Sequence, residues 1–253
     1  MKKGFILAGV FILTMSLVAC KEKETIRFQG KTTFTYNIID ETYTENGITI
    51  KYPQLSKASN PTKADLVNKA IQDGIRTKLE AIKIGGKDMG DLSLDLKYDV
   101  SGYSNKVISI SYQGTSYFKQ AAYPVNIYYT QNITLGEVDT LPLKAIFIID
   151  DHFIEAFKSG IYSTSRDDLN LEKSGINIKE TIESQYSNQD LVELFKKDDA
   201  NYRLTKEGVI LSIEVPHAIG DHLEMAIPYA AIEANMIKSS PVWKDYLFIK
   251  SGK

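Results

Sequence analysis

Two β-rich runs constrain this chain most: Val107-Ile108-Ser109-Ile110-Ser111-Tyr112 and Val125-Asn126-Ile127-Tyr128-Tyr129-Thr130-Gln131-Asn132-Ile133. In each, branched or aromatic side chains recur at roughly alternate positions, which turns one face toward a core and the other toward water. They read as neighbouring strands of an antiparallel sheet, joined through a connection with aromatic residues at Tyr117, Phe118 and Tyr123. With 253 residues, 43% of them hydrophobic and 25% charged, the chain can bury a core without disulfide support. It does so as a single compact unit or as two closely packed subdomains.

Other periodicities arrange themselves around that pair. Residues Thr33 to Ile39 and Ile48 to Tyr52 read as strands turned through Asn46-Gly47, a strong hairpin signal. Asn60-Pro61 opens a helix, with Asn60 as cap and Pro61 at the first helical position. Leu66, Val67, Ala70, Ile71, Ile75, Leu79 and Ile82 make one apolar face of it, and Gly85-Gly86 stops it. Gly74 inside the helix implies close packing, because glycine there costs about 1 kcal/mol relative to alanine. Leu92 to Val100 alternates strictly between apolar and polar, as a half-buried strand does.

The second half reads as mixed structure. Leu141 to Phe147 forms a short turn, and Asp150 or Asp151 caps a helix using Phe153, Ile154 and Phe157 and ending at Gly160. Helical periodicity recurs over Ile176 to Tyr186 and Leu191 to Phe195. Tyr202 to Thr205 and Val209 to Val215 form a hairpin turned at Lys206-Glu207-Gly208; Leu223 to Pro228 is a last strand, and Ala230 to Ile237 a brief helix. Trp243, Tyr246 and Phe248 pack a tail on the body. The fold class is α+β, an antiparallel-rich sheet with helices packed on it. Its expected divisions are a hairpin–helix subdomain over 32–95, an α+β subdomain over 96–240 and a tail over 241–253.

The first twenty residues are of another kind. Lys2 and Lys3 precede an uncharged run from Gly4 to Val18, shorter than the roughly 20 apolar residues a spanning helix needs. A basic start, a short apolar core and small residues describe a secretory signal. Leu17-Val18-Ala19-Cys20 resembles the lipobox of bacterial lipoproteins. That resemblance implies a signal peptide over 1–19, cleavage before Cys20, acyl chains on the new terminus, and a polar tether over 20–31. Two or three acyl chains anchor stably where one is marginal. The expected location is extracytoplasmic, lipid-anchored to the cell or outer membrane.

Cys20 is the sole cysteine, so lipidation leaves no thiol for a disulfide, a thiolate metal site or a nucleophile. Loss of residues 1–19 removes two lysines and no acids, leaving 28 basic against 32 acidic side chains, a formal −4. That sign disfavours a nucleic-acid partner.

The order of elements is similar to that of the extracytoplasmic region of RsiV-type anti-sigma factors, whose paired domains of largely unknown function recur in secreted and lipid-anchored proteins. The resemblance covers about Thr32 to Ile237. It rests on Ser116-Tyr117, on Tyr128-Tyr129-Thr130-Gln131-Asn132-Ile133-Thr134-Leu135-Gly136, on Leu141-Pro142-Leu143 through Phe147, on Tyr202 to Val209 and on Ala226-Ile227-Pro228-Tyr229. It departs in the connection, where the family's Gly-Gly-Ala-His is replaced by Gln120-Ala121-Ala122-Tyr123. Glycines permit backbone geometry that glutamine and alanine resist, so a differently shaped connection is expected. The resemblance implies a lysozyme-binding region; the changed connection predicts weak lysozyme binding or none. A chain beginning at Cys20 has no cytoplasmic segment, so sequestration of a sigma factor is excluded.

No residue pattern carries a reaction. His217 and His222 lie near Glu214, Asp221 and Glu224, but their spacing lacks that of a zinc hydrolase, and they read as solvated loop residues. His152 reads as a surface or capping residue. Ser116 and Lys119 have the spacing of a serine–lysine acyl enzyme, which on a strand points them to opposite faces. No metal, cofactor or enzymatic activity is expected. Half of the tyrosines around the connection fill the core, and the exposed half suits contact with a protein or a sugar. The ligand-binding candidates are Tyr117, Phe118, Lys119, Gln120, Tyr123, Asn126 and Tyr128. The expected function is an envelope binding protein with a protein ligand, lysozyme-like in one version, or a cell-wall glycan. An enzyme or accessory acting on envelope polysaccharide, or a structural lipoprotein, are the alternatives.

Overall fold

The computed structural model describes residues 34–83, 91–104, 106–163, 171 and 173–243. The signal segment, Cys20 and its tether, Thr33, the Gly85-Gly86 stop, and Tyr246 and Phe248 of the tail lie outside the described residues. No helix among those described is long and apolar enough to cross a membrane.

Strands β1 (Asn37–Glu45) and β2 (Ile48–Ser56) pair antiparallel through Asn46 and Gly47, both at positive φ (46° and 83°), the turn whose twist matches a hairpin. Helix α1 (Pro61–Lys83) follows, and the Asn60 side chain accepts from Lys63 N at 3.0 Å, capping its first turn. The helix serves as the crossover that a parallel pair requires, for β3 (Leu92–Tyr103) returns beside β2 in parallel. Strands β4 (Val107–Phe118) and β5 (Val125–Thr134) then pair antiparallel, and β6 (Asp139–Thr140) closes a six-stranded sheet in sequential order. Buried Val67, Ile71, Ile75 and Leu79 of α1 meet Ile50, Leu94, Ile110 and Tyr129 of the sheet. Each such side chain contributes about 2 kcal/mol by leaving water. Leu66 does not join that face and is 53% exposed, because a residue adjacent to Val67 is rotated about 100° around the helix.

The second half builds a four-stranded sheet in the order β7 (Ile161–Ser163), β10 (His222–Pro228), β9 (Gly208–Glu214) and β8 (Tyr202–Leu204). Helices α2 (Asp151–Lys158), α3 (Ile178–Gln185) and α4 (Asn188–Lys196) cover one face of it. Asp150 caps α2 by accepting from Phe153 N at 3.0 Å, and Ser187 caps α4 in a reciprocal box with Asp190. A turn of 3-10 helix over Tyr229–Asn235 follows β10, and buried Trp243 packs edge-on to Phe147 and Tyr229.

The expected α+β class is the observed one, in two sheets. Strand β3 runs unbroken through residues 95 and 96. The expectation of a water-facing side on β4 is corrected. Val107 to Tyr112 are all buried, because the short edge strand β8 lies across that face. Its outward backbone groups bond to side chains of the other sheet. Thr130 Oγ1 accepts from Tyr202 N (3.0 Å) and Asn132 Nδ2 donates to Tyr202 O (2.7 Å). Ser109 Oγ accepts from Leu204 N (2.9 Å) and Ser101 Oγ donates to Leu204 O (3.0 Å). An edge that otherwise invites strand addition is thereby satisfied inside the molecule.

Candidate functional site

The β4–β5 connection sits at the end of this seam, against the loop that joins β9 to β10. Tyr123 stacks on His217 with ring centroids 3.8 Å apart and planes 8° from parallel. His217 Nδ1 bonds to both carboxylate oxygens of Asp221, at 2.9 and 3.1 Å. Asp221 Oδ2 in turn accepts from the backbone N (2.8 Å) and Nδ2 (2.9 Å) of Asn126, whose Nδ2 also donates to Gly220 O at 3.2 Å. Gly220 and Asp221 both adopt positive φ (113° and 71°), which brings the carboxylate under Asn126. The two loops are clipped together by groups that need no further partner.

Further along β5 the contacts become buried. Tyr128 lies against His222, centroids 5.2 Å apart, and His222 Nδ1 is hydrogen-bonded to the buried carboxylate of Glu224. Burial, and secondarily the charge of Glu224, pushes the Tyr128 phenol well above its ordinary range, so it stays neutral. Arg203 of β8 reaches Asp99 of β3 at 2.9 Å across the same seam.

The expected site residues separate into two groups. Tyr117 and Tyr123 are 40% and 50% exposed, and Lys119 and Gln120 are exposed beside them. Tyr128 is buried at 6% exposure and is withdrawn from the exposed set, because β10 covers the face of β5 that carries it. Phe118 faces the α1 side, half-buried against that core. Asn126 is committed to Asp221. Tyr112 and Tyr129 stack at 4.4 Å in the core, as half of the tyrosines were expected to do. The connection keeps a left-handed turn without glycine, for Gln120 has φ 70°. His217 is exposed in the loop between β9 and β10, as expected, and stacks on Tyr123; His222, expected in a solvated loop, instead opens β10 and lies part-buried against Tyr128. Their partners lie more than ninety residues away in sequence, as do Asn126 and Asp221, so no local pattern announces them. His152 is exposed at the start of α2, as expected, with Nδ1 bonded to Asn235 Oδ1 at 2.6 Å.

A helix-backed mixed sheet, antiparallel but for its β2–β3 pair, docked on a second helix-backed sheet defines the class of fold. No protein-family model matches the chain, and no curated protein matches it. Among solved structures, a member of the DUF3298 family from Bacteroides fragilis shares the fold at a TM-score of 0.50 and 16% identity, over 84% of this chain and 96% of that one. A DUF3298 family protein from Pseudomonas aeruginosa is similar at a TM-score of 0.40 and 12% identity, over the same 84% and 96%. The likeness is one of fold to a domain of unknown function, which agrees with the domains of unknown function expected from the sequence.

Proposed function

We propose that this chain is a lipid-anchored binding protein of the bacterial envelope, held outside the cytoplasm by acyl chains on Cys20, with the Tyr117–Tyr123 end as its contact surface. The observation that carries the reading is the pair of exposed tyrosines, with Tyr123 fixed by its stack on His217. Large amphipathic rings held in one rotamer bring contact area at little entropy cost. The Leu17-Val18-Ala19-Cys20 pattern supports the anchoring half.

The proposal includes no catalysis. The carboxylates of the facing loop and strand are occupied: Asp221 by Asn126 and His217, Glu224 by His222. A relation to RsiV-type sensors, with a protein ligand, and a cell-wall glycan are the two forms the ligand takes in this reading. The test has two halves. Cys20→Ala is expected to leave the membrane fraction or accumulate as uncleaved precursor; wild-type anchoring of the variant removes the lipoprotein assignment. The intact wild-type protein is expected to be retained on purified peptidoglycan or on lysozyme beads, and retention on neither removes the binding assignment.

A further inference from the structure

We infer that the double loop around Tyr123 is a subsite for a neutral glycan, stacked on Tyr123 and Tyr117; this rests on the binding-protein reading and names its ligand class. The first argument is charge. In a chain with 25% charged residues, none lies between Lys119 and Glu137, and none between Glu214 and Asp221 in the facing loop. Asp221, which closes that loop, has its carboxylate turned inward at 11% exposure. Lys119 stands exposed at the rim with Asp91 behind it, so an anionic polymer, an acidic peptide or a lipid headgroup meets one lysine at the edge and none across the two loops, whereas a neutral ligand strips no water from a fixed ion.

Size gives the second argument. The exposed apolar and aromatic surface consists of Tyr117, Ala122, Tyr123, Pro124 and Val125 on one side and Pro216 and Ala218 on the other. A stable protein interface takes roughly 20–30 residues a side. Fewer than half that number suits a short run of sugar rings rather than a folded partner. The third argument is the mixture of groups. Sugar rings present apolar C–H faces edged with hydroxyls, so they need aromatic faces bordered by polar atoms. The tyrosine rings supply the faces. Exposed Gln120 supplies an amide, and His217, whose Nδ1 is taken by Asp221, retains Nε2. Both rings are held beforehand: Tyr123 by the stack, Tyr117 by its hydroxyl donating to Ala121 O at 3.3 Å.

The test is calorimetric titration of the intact chain, extracted in a polyoxyethylene detergent that carries no sugar. The probes are the neutral oligosaccharides chitotetraose, cellotetraose and maltotetraose. Saturable binding of at least one is expected, changing less than about twofold when ionic strength is raised roughly tenfold. Tyr123→Ala and, on the facing loop, Ala218→Glu are each expected to weaken it at least about tenfold. Ala218 is exposed on a turn, so its variant keeps the fold and an unaltered melting temperature checks this. Binding that survives both substitutions, or that falls steeply with salt, overturns the inference. So does the absence of binding by all three sugars; if lysozyme then binds through Tyr123, the binding-protein reading stands and the glycan class alone falls.

Discussion

Leu204 donates its backbone N–H to Ser109 Oγ at 2.9 Å, and across that bond the edge strand of one sheet is received by side chains of the other. Ser109 is fully buried and donates in turn to Asn132 Oδ1 at 2.5 Å, so the hydroxyl serves both as acceptor and as donor. Ser109→Ala leaves Leu204 N and Asn132 Oδ1 each short of a partner in a dry seam. A loss of about 1–3 kcal/mol is expected, read as a lower urea midpoint at unchanged slope. A loss below about 0.5 kcal/mol contradicts the seam as described.

Ser109 also shows where sequence reasoning stops. The period of two in β4 and β5 separates Ile108 and Ile110 from Ser109 and Ser111, and the structure keeps that separation. Period alone says that the two faces differ, not what lies over the second one. Ser109 and Asn132 there read as a wetted face, whereas they are buried because β8, far along the chain, brings unpaired backbone groups that only polar side chains can satisfy. Local features were legible: the Asn46-Gly47 turn, the Asn60 cap, the Asp150 cap and the hairpin of β8 and β9 each depend on neighbours within a few residues. The half of the candidate surface supplied by His217 and Asp221 was not, since its partners meet only after both sheets have formed.

Gly74 of α1 faces Gln131 of β5 so closely that a Cβ at position 74 would fall 1.4 Å from Gln131 Nε2. Gln131 cannot swing away freely, because it accepts from Tyr112 OH at 2.7 Å and donates to Ile71 O at 3.2 Å. Gly74→Ala is therefore expected to destabilise by about 1–3 kcal/mol despite the better helix propensity of alanine. Thermal denaturation checks it, and a rise in melting temperature contradicts the packing.

Asp150 links stability to acid. The N–H of Phe153, with further help from Asn235 Nδ2 at 2.8 Å, holds its carboxyl below the ordinary 3.8. A depressed folded value means that the contribution is present above that ordinary value and is lost as pH falls through the lower folded one. Asp150→Ala is expected to cost about 1 kcal/mol at neutral pH. The gap between variant and wild type closes in strong acid. Denaturation curves across pH that stay parallel down to the acid limb contradict the assignment.

Gln120 holds φ at 70°, in the left-handed region that costs an L-residue about 1–2 kcal/mol. Gln120→Gly relieves the strain and gives back part of the gain in unfolded-state entropy, for a net stabilisation of about 0.5–1 kcal/mol. The melting temperature is expected to rise by a few degrees at most; a fall shows that the glutamine side chain makes a contact worth more than the strain.

The most direct test of the account is quantitative retention of the intact protein on purified peptidoglycan and on lysozyme beads, comparing wild type with Tyr117→Ala/Tyr123→Ala. Both tyrosines stand at the exposed end and make none of the hydrogen bonds that join β8 to the first sheet. The account predicts retention of wild type on at least one of the two, and retention at least about tenfold weaker for the variant at a nearly unchanged melting temperature. Equal retention of the two proteins contradicts it.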